Sequence, residues 1–270
     1  RGAGEVLMRM VWPLLLLGGC TQGPAIAPGK IVSNNPCIDA VLAEIADPAS
    51  IGAVSLYSHD EGSGSAPVAW ARRFPAIGNA AEELIAAKPG LVLSGNYASS
   101  GTDAALKAAR VRVRSFGVPA SLTESEEQVS AIASAIGREA QGAALIARMK
   151  AASQPTRDGR TAIVWTGGGF VPGKGTIQDE MLARAGYRNA SQTFGLNQWD
   201  ILPIETLLHR PPDVIFTPVK GAGNDARTLA LRHRVLRHLA GRTKVVAFPD
   251  RLLNCGGPSV IAAMHVMRGA

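Results

Sequence analysis

Two stretches of this 270-residue chain follow one plan. "EELIAAKPGLVLS" (82–94) and "ETLLHRPPDVIFT" (205–217) each open on glutamate, run as a short helical pattern with Lys or Arg near its end, break at proline, and continue as a β-branched strand. Glu82 and Glu205 stand in the same register, as do Pro89 and Pro212. A chain that repeats such a unit is most simply built from two similar bodies.

What lies between the copies fits that view. "SLTESEEQVSAIASAIGREAQGAALIARMKAA" (121–152) reads as one long helix. Val129, Ile132, Ala133 and Ile136 recur at helical spacing, and Ser121 or Thr123 with Glu124 or Glu126 can form a capping box. Gly137 and Gly142 weaken this pattern without ending it; "SQPTRDGR" (153–160) ends it. On either side, strands alternate with helices. "KIVS", "IGAVSLY", "GLVLSG" and "VRVRSF" precede the long helix; "TAIVW", "PDVIFTP" and "KVVAFP" follow it. Such alternation predicts parallel sheets covered by helices. The expected fold class is α/β, with two Rossmann-like α/β lobes joined by one long rigid helix. The expected divisions are a targeting segment (1–27), an N-terminal lobe (28–120), a spine helix with linker (121–158) and a C-terminal lobe (159–270).

The first of these divisions has the shape of a secretory signal. Arg1 and Arg9 flank an apolar run, "MVWPLLLLGG" (10–19), too short to span a membrane. "LGGC" (17–20) resembles a lipoprotein box with Cys20 as the lipidated residue, and "AIA" (25–27) is a competing cleavage site. Export places the protein in an oxidising compartment. There Cys37 and Cys255 read either as two small buried hydrophobes or as a disulfide; no ligand spacing favours a metal.

Composition narrows the function. Hydrophobic residues make up 46% and charged residues 18%, the balance of a globular protein. The net charge is +7, but the densest basic run, "RTLALRHRVLRHLAGR" (227–242), has the spacing of one solvated helix face. No nucleic-acid partner is expected. The histidines are dispersed, so no metal cage is expected either.

Several motifs fall where the cleft between two α/β lobes should lie, after strand C-termini. In "VSLYSHD" (54–60), Ser58, His59 and Asp60 are consecutive and cannot converge as a catalytic triad. Tyr57, His59 and Asp60 suit a ligand grip better. "GGFVPGKGT" (168–176) follows a strand and precedes a helix. Gly168, Gly173 and Lys174 match a phosphate loop, but Gly175 stands where Ser or Thr should hold magnesium. An NTPase is therefore a near miss, and the loop is read as backbone for an anionic ligand edge. "FGLNQWDILP" (194–203) offers Trp199, a stacking surface in a chain with 5% aromatics, and Asp200 beside it. "LNCGGPS" (253–259) sets Cys255 in a glycine-rich turn on the same side.

Taken with "EELIAAKPGLVLS", "FVPGKGTIQDEMLARAG" and "WDILPIETLLHRPPDVI", these stretches resemble the periplasmic substrate-binding proteins of ABC importers for cobalamin and iron chelates, nearest to the cobalamin binders. The resemblance covers residues 30 to 270. It implies the class III periplasmic-binding-protein fold, no enzymatic activity and no resident cofactor. It also implies a monomer that carries a bulky metal chelate, a corrinoid first, to a permease and its ATPase subunits. By position it makes Tyr57 and Trp199 cleft aromatics, and Glu82 and Glu205 the acids that meet the permease. The family's further first-lobe tryptophans are replaced near Ala76 and Gly95, where Tyr97 can compensate. Arg72, Arg73 and Arg251 keep a ferric siderophore or haem open as the alternative.

Overall fold

The structure of the protein, a computed structural model, describes residues 27–96, 100–166, 169–218 and 226–270, with the backbone alone at residue 100 and at 226–232. The anticipated signal segment, Cys20 and Tyr97 lie outside the described residues, as does Gly168.

The first lobe runs β1 (Ile31–Ser33), α1 (Pro36–Ile45), β2 (Ile51–Ser55), α2 (Val68–Ala71), β3 (Ala76–Ile77), α3 (Ala81–Ala86), β4 (Leu91–Gly95), α4 (Ser100–Ala108) and β5 (Val113–Phe116). Its parallel sheet has the order β3-β2-β1-β4-β5. Two helices follow, α5 (Leu122–Ala135) and α6 (Glu139–Ala152). The second lobe runs β6 (Thr161–Val164), β7 (Phe170–Pro172), α7 (Ile177–Arg184), β8 (Arg188–Asn189), α8 (Ala190–Thr193), β9 (Trp199–Ile201), α9 (Ile204–His209), β10 (Val214–Thr217), α10 (Ala226–Leu239), β11 (Lys244–Ala247) and α11 (Ser259–Arg268). Its main sheet, also parallel, has the order β11-β10-β6-β8.

Strand alternation divides each lobe's core between the two faces of its sheet. In the second lobe Ala162, Val164, Val214 and Phe216 face α7 and α11, while Ile163 and Ile215 face α9 and α10. In the first lobe Val54, Leu91 and Leu93 pack on α1 and the helix pair α5–α6, while Val32, Ala53 and Val92 pack toward α3 and α4. The two-lobed α/β class matches the expectation. Each fully buried Leu, Ile or Phe contributes about 1.5–3 kcal/mol, so each lobe has its own source of stability.

The connector differs from the single rod expected. Gly137 adopts a positive φ of 67°, and the Arg138 N–H returns to the Ala133 carbonyl at 2.8 Å, which closes α5 in a Schellman-like end. The chain then reverses. α6 lies antiparallel to α5, with Gly142 at the crossing: a β-carbon there would come within 2.4 Å of Ala133 Cβ. Lys150 meets Glu126 across the pair at 3.3 Å. The two glycines that looked tolerable within one helix are what make it two. The pair bonds the first lobe through Arg138–Asp47 at its tip, at 3.5 Å, and through Arg148–Glu44 farther along α6, at 2.7 Å. Its base meets the second, where the Leu122 side chain joins that core and its N–H donates to Glu180 Oε2 at 2.8 Å. The start of α5 is as anticipated: Ser121 Oγ accepts the Glu124 N–H at 3.1 Å.

A second seam ties the lobes. A disulfide joins Cys37, at the start of α1, to Cys255, across 218 residues of sequence. Ser65 Oγ donates to the Arg251 carbonyl at 2.8 Å and sits 3.0 Å from Cys255 Sγ. Gly257 N–H donates to Ser125 Oγ at 2.7 Å. Gly256 must be glycine, because a β-carbon would come within 2.8 Å of Pro119 and 2.5 Å of Ser125 Oγ.

Candidate functional site

Both sheets end their strands toward the same region, the usual position for a ligand in open α/β folds. In the first lobe β2 runs into a 3-10 turn, Leu56–His59, opened by Ser55, whose Oγ accepts the Tyr57 N–H at 3.3 Å. The turn leaves Leu56 exposed and Tyr57 47% exposed, but buries Ser58. His59 is half-buried, and its Nε2 is enclosed with no hydrogen-bond partner. Asp60 is exposed.

In the second lobe, two segments read as loops form a small antiparallel sheet instead. β7 pairs with β9, placing Phe170 opposite Ile201, Val171 opposite Asp200 and Pro172 opposite Trp199. Val171 is fully buried and anchors this strand pair in the core beside Leu202 and Leu207. Phe170 and Ile201 are exposed, and Trp199 is 45% exposed. Asp200 is exposed, and its Oδ1 accepts the Ile201 N–H at 2.8 Å.

This pairing corrects the reading of the glycine-rich loop. Gly173 is buried and its N–H donates to the Gln198 carbonyl, so that amide is not available to a ligand. The Lys174 carbonyl in turn accepts the Gln198 N–H at 3.0 Å, and the Lys174 side chain is exposed. The segment is a strand edge, and its tightness at Gly173 reflects the Leu196 carbonyl, 2.6 Å from where a β-carbon would lie.

A cavity of about 490 Å³ opens between the second lobe and the segment that follows β5. Trp199 and Cys255 line it, together with Val118, Gly175, Thr176 and Gln178. The Gln178 amide donates to the Leu253 carbonyl, which fixes the wall behind Cys255. Trp199 and Cys255 are thus brought to one cavity. Tyr57, His59, Asp60, Gly173, Lys174 and Asp200 do not line it. Tyr57, His59 and Asp60 belong to the opposite lobe, whose chain continues from Asp60 to Ser65 and touches the cavity wall at Cys255. Glu82 and Glu205 lie outside the cleft. Each is exposed and stands second in a short helix, α3 and α9, so the repeat keeps its register in three dimensions.

Sequence reasoning missed Phe170, Ile201, Val118 and Gln178. "FVP" and "WDI" are three-residue strands, shorter than any alternation that could be counted, and Val118 stands alone between β5 and α5. It also missed Asp39. This acid on α1 is completely buried, and burial pushes its carboxyl up to about 7 against the opposing effect of the nearby Ser33 hydroxyl and of hydrogen bonds from Ser58 and Ser55. Nothing in the sequence distinguishes it from an ordinary acid in a helix's first turn.

The comparisons with known proteins agree with this architecture. A family model described as periplasmic binding protein matches residues 31–243. No curated protein matches the chain by sequence. Among solved structures, a periplasmic heme-binding protein from Roseiflexus sp. RS-1 superposes with a TM-score of 0.68 at 22% identity, covering 90% of this chain and 99% of its own. The periplasmic heme-binding protein HutB of Vibrio cholerae superposes with a TM-score of 0.73 at 14% identity, covering 89% and 98%. CeuE of Helicobacter pylori, with Ni(II) bound, reaches 0.65 at 15% identity, covering 94% and 86%. With four-fifths of its length inside that family model, this chain belongs to the periplasmic binding proteins.

Proposed function

We propose that the protein captures a metal tetrapyrrole between its lobes and hands it to an ABC importer in the periplasm. The observation that carries this reading is the distribution of exposed apolar side chains. Apart from Ile85 and Val245, the large exposed hydrophobics among the described residues are Leu56 and Tyr57 after β2 on one lobe, Phe170, Trp199 and Ile201 on β7 and β9 of the other, and Val118 after β5. Apolar side chains left exposed on both lobes in this way favour a partner that covers them. A flat or bulky macrocycle has apolar faces to cover it, and the cavity falls within the usual range for small-molecule sites, about 300–1,000 Å³.

Haem is placed first, because two of the solved relatives are heme-binding proteins by name. The corrinoid suggested by the sequence resemblance is the second ligand. In either case Tyr57 and Trp199 pack on the ring faces, and His59, Asp60 and Asp200 meet its edge. Haem carries two carboxylates, which need cations; Lys174 and Arg251 are exposed on the second lobe's side. Glu82 and Glu205 then present one acid from each lobe to the permease. Exposed pairs of this kind contribute little energy, about 0–1 kcal/mol, and act on orientation and encounter rate.

The test is a thermal-shift and absorbance titration with hemin, cyanocobalamin, cobinamide and ferric siderophores. A ligand at one hundredfold its Kd stabilises the native state by about 2.7 kcal/mol, which a melting curve resolves. Hemin is expected to raise Tm. Lys174→Ala with Arg251→Ala should weaken hemin and leave cyanocobalamin unchanged. If no chelate raises Tm, the proposal fails. Replacing Glu82 and Glu205 together by Lys should stop uptake without changing affinity.

A further inference from the structure

Asp39 has no role in the function as read so far, yet it is the most unusual group in the first lobe. It is fully buried on α1, below the end of β2. Its Oδ2 accepts two hydrogen bonds, from Ser58 Oγ at 2.6 Å and from the Ser55 N–H at 2.9 Å. Its Oδ1 is enclosed with no partner. Ser55 ends β2 and its hydroxyl holds the Tyr57 N–H, while Ser58 is the only buried residue of the turn that follows. One carboxylate therefore grips the turn on both sides of Tyr57. Asn or Ser would fill this space without the desolvation that a buried acid suffers when it ionises. A carboxyl group, in exchange, can gain or lose a proton, so its hold on the turn responds to pH.

We infer that Asp39 is the positioning residue of the ligand grip: its carboxylate sets the Leu56–His59 turn so that Tyr57 is presented to the cleft. This rests on the reading of Tyr57 as a cleft residue. The groups that face Asp39 are the Ser33 hydroxyl from β1, the Ser55 N–H from β2 and the Ser58 hydroxyl from the turn; no neighbouring charge contributes to its shift. The turn it holds carries one titratable imidazole, His59, next to Ser58.

Burial holds Asp39 protonated up to about pH 7, so the buried carboxyl that grips the turn is favoured below neutrality and the grip loosens as pH rises through about 7. The sign follows from linkage: the state that buries the carboxyl binds the proton more tightly, so losing the proton favours release of the turn.

The test uses full-length protein with hemin as the probe, titrated from pH 5.5 to 8.5. Affinity is expected to fall several-fold as pH rises from 6 to 8. Asp39→Asn, which stays neutral, should flatten that profile. Asp39→Ala should weaken binding about tenfold at pH 6, and Ser58→Ala should weaken it less. The same affinity in Asp39→Ala, or an unchanged profile in Asp39→Asn, would overturn the inference. Hydrogen–deuterium exchange of the Val54–Asp60 peptide at pH 6 supplies a readout independent of any ligand. Asp39→Ala should speed exchange at Ser55 and Tyr57 about tenfold while leaving the β7–β9 pair unchanged. If hemin fails to bind the wild type, the proposed ligand is wrong and exchange alone decides. Faster exchange in the variant then sustains the positioning role, and unchanged exchange rejects it. Should Asp39→Ala not fold, Ser58→Ala carries the same exchange measurement.

Discussion

The two lobes share a sheet and differ where the ligand grip is proposed. Reversed, the second sheet reads β8-β6-β10-β11, which matches β2-β1-β4-β5 of the first, and α3–β4 corresponds to α9–β10. Beyond these elements the likeness ends. The second lobe carries Trp199 on a strand pair whose backbone bonds are paired and whose Val171 is sunk in the core. The first lobe carries Tyr57 on one turn of 3-10 helix, fastened by Ser55 and by a single buried carboxyl group. One scaffold thus carries two kinds of support: one rigid through its backbone, the other dependent on one side chain.

Truncating the cores has the largest effect and asks whether the lobes stand apart. Phe216 stacks edge-on with Tyr187 and Phe248 in the second lobe, and Phe216→Ala should cost about 3–5 kcal/mol. Leu93→Ala, in the first lobe's core, should cost about 2–5 kcal/mol. A single urea transition in both variants means the seams couple the lobes; two transitions mean they unfold separately.

The pH dependence of stability between pH 4 and neutrality comes next, and its largest contributor sits in the first lobe. Native Asp39 keeps its proton to about pH 7, whereas the unfolded residue releases it near 3.8. Its stabilising contribution is therefore complete below about pH 3.8 and is lost as pH rises to neutrality. The change amounts to at most about 4 kcal/mol, from a shift of some three pH units. Asp39→Asn should remove this slope from chemical denaturation measured at pH 5 and pH 8.

Replacing Cys37 and Cys255 by Ser together should cost about 2–4 kcal/mol and split the unfolding transition if the disulfide is what couples the lobes. Gly142→Val drives a β-carbon into Ala133 and should cost about 1–3 kcal/mol, read from the same denaturation curves. Arg148→Ala breaks only an exposed pair with Glu44 and should change stability by less than about 1 kcal/mol.

The scaffold was legible because it is written in long periodic segments. α1, β4, β10 and the start of α5 stand within a residue or two of where spacing and capping signals put them, with Pro36 at the start of α1 and Ser121 capping α5. The connector was misjudged because a glycine's tolerance in a helix depends on its φ and on what lies across from it. Gly137 turns left-handed and Gly142 faces Ala133, and neither fact is local in sequence. The cavity lining was partly legible. Trp199 was singled out through the scarcity of aromatics and Cys255 through its glycine-rich turn, and both line the cavity. Gly173 was misread, since a phosphate-loop spacing does not reveal that its amide is taken by Gln198. Asp39 was invisible because its burial is created by β1, β2 and the Leu56–His59 turn together.

The Cys37–Cys255 bridge also bears on when the protein becomes competent. It joins the beginning of the folded chain to a turn just before the last helix, so the bond must wait until nearly all of the polypeptide is available and an oxidant is at hand. Before that moment hydrogen bonds such as Ser65 to the Arg251 carbonyl hold this turn to the first lobe without a covalent tie.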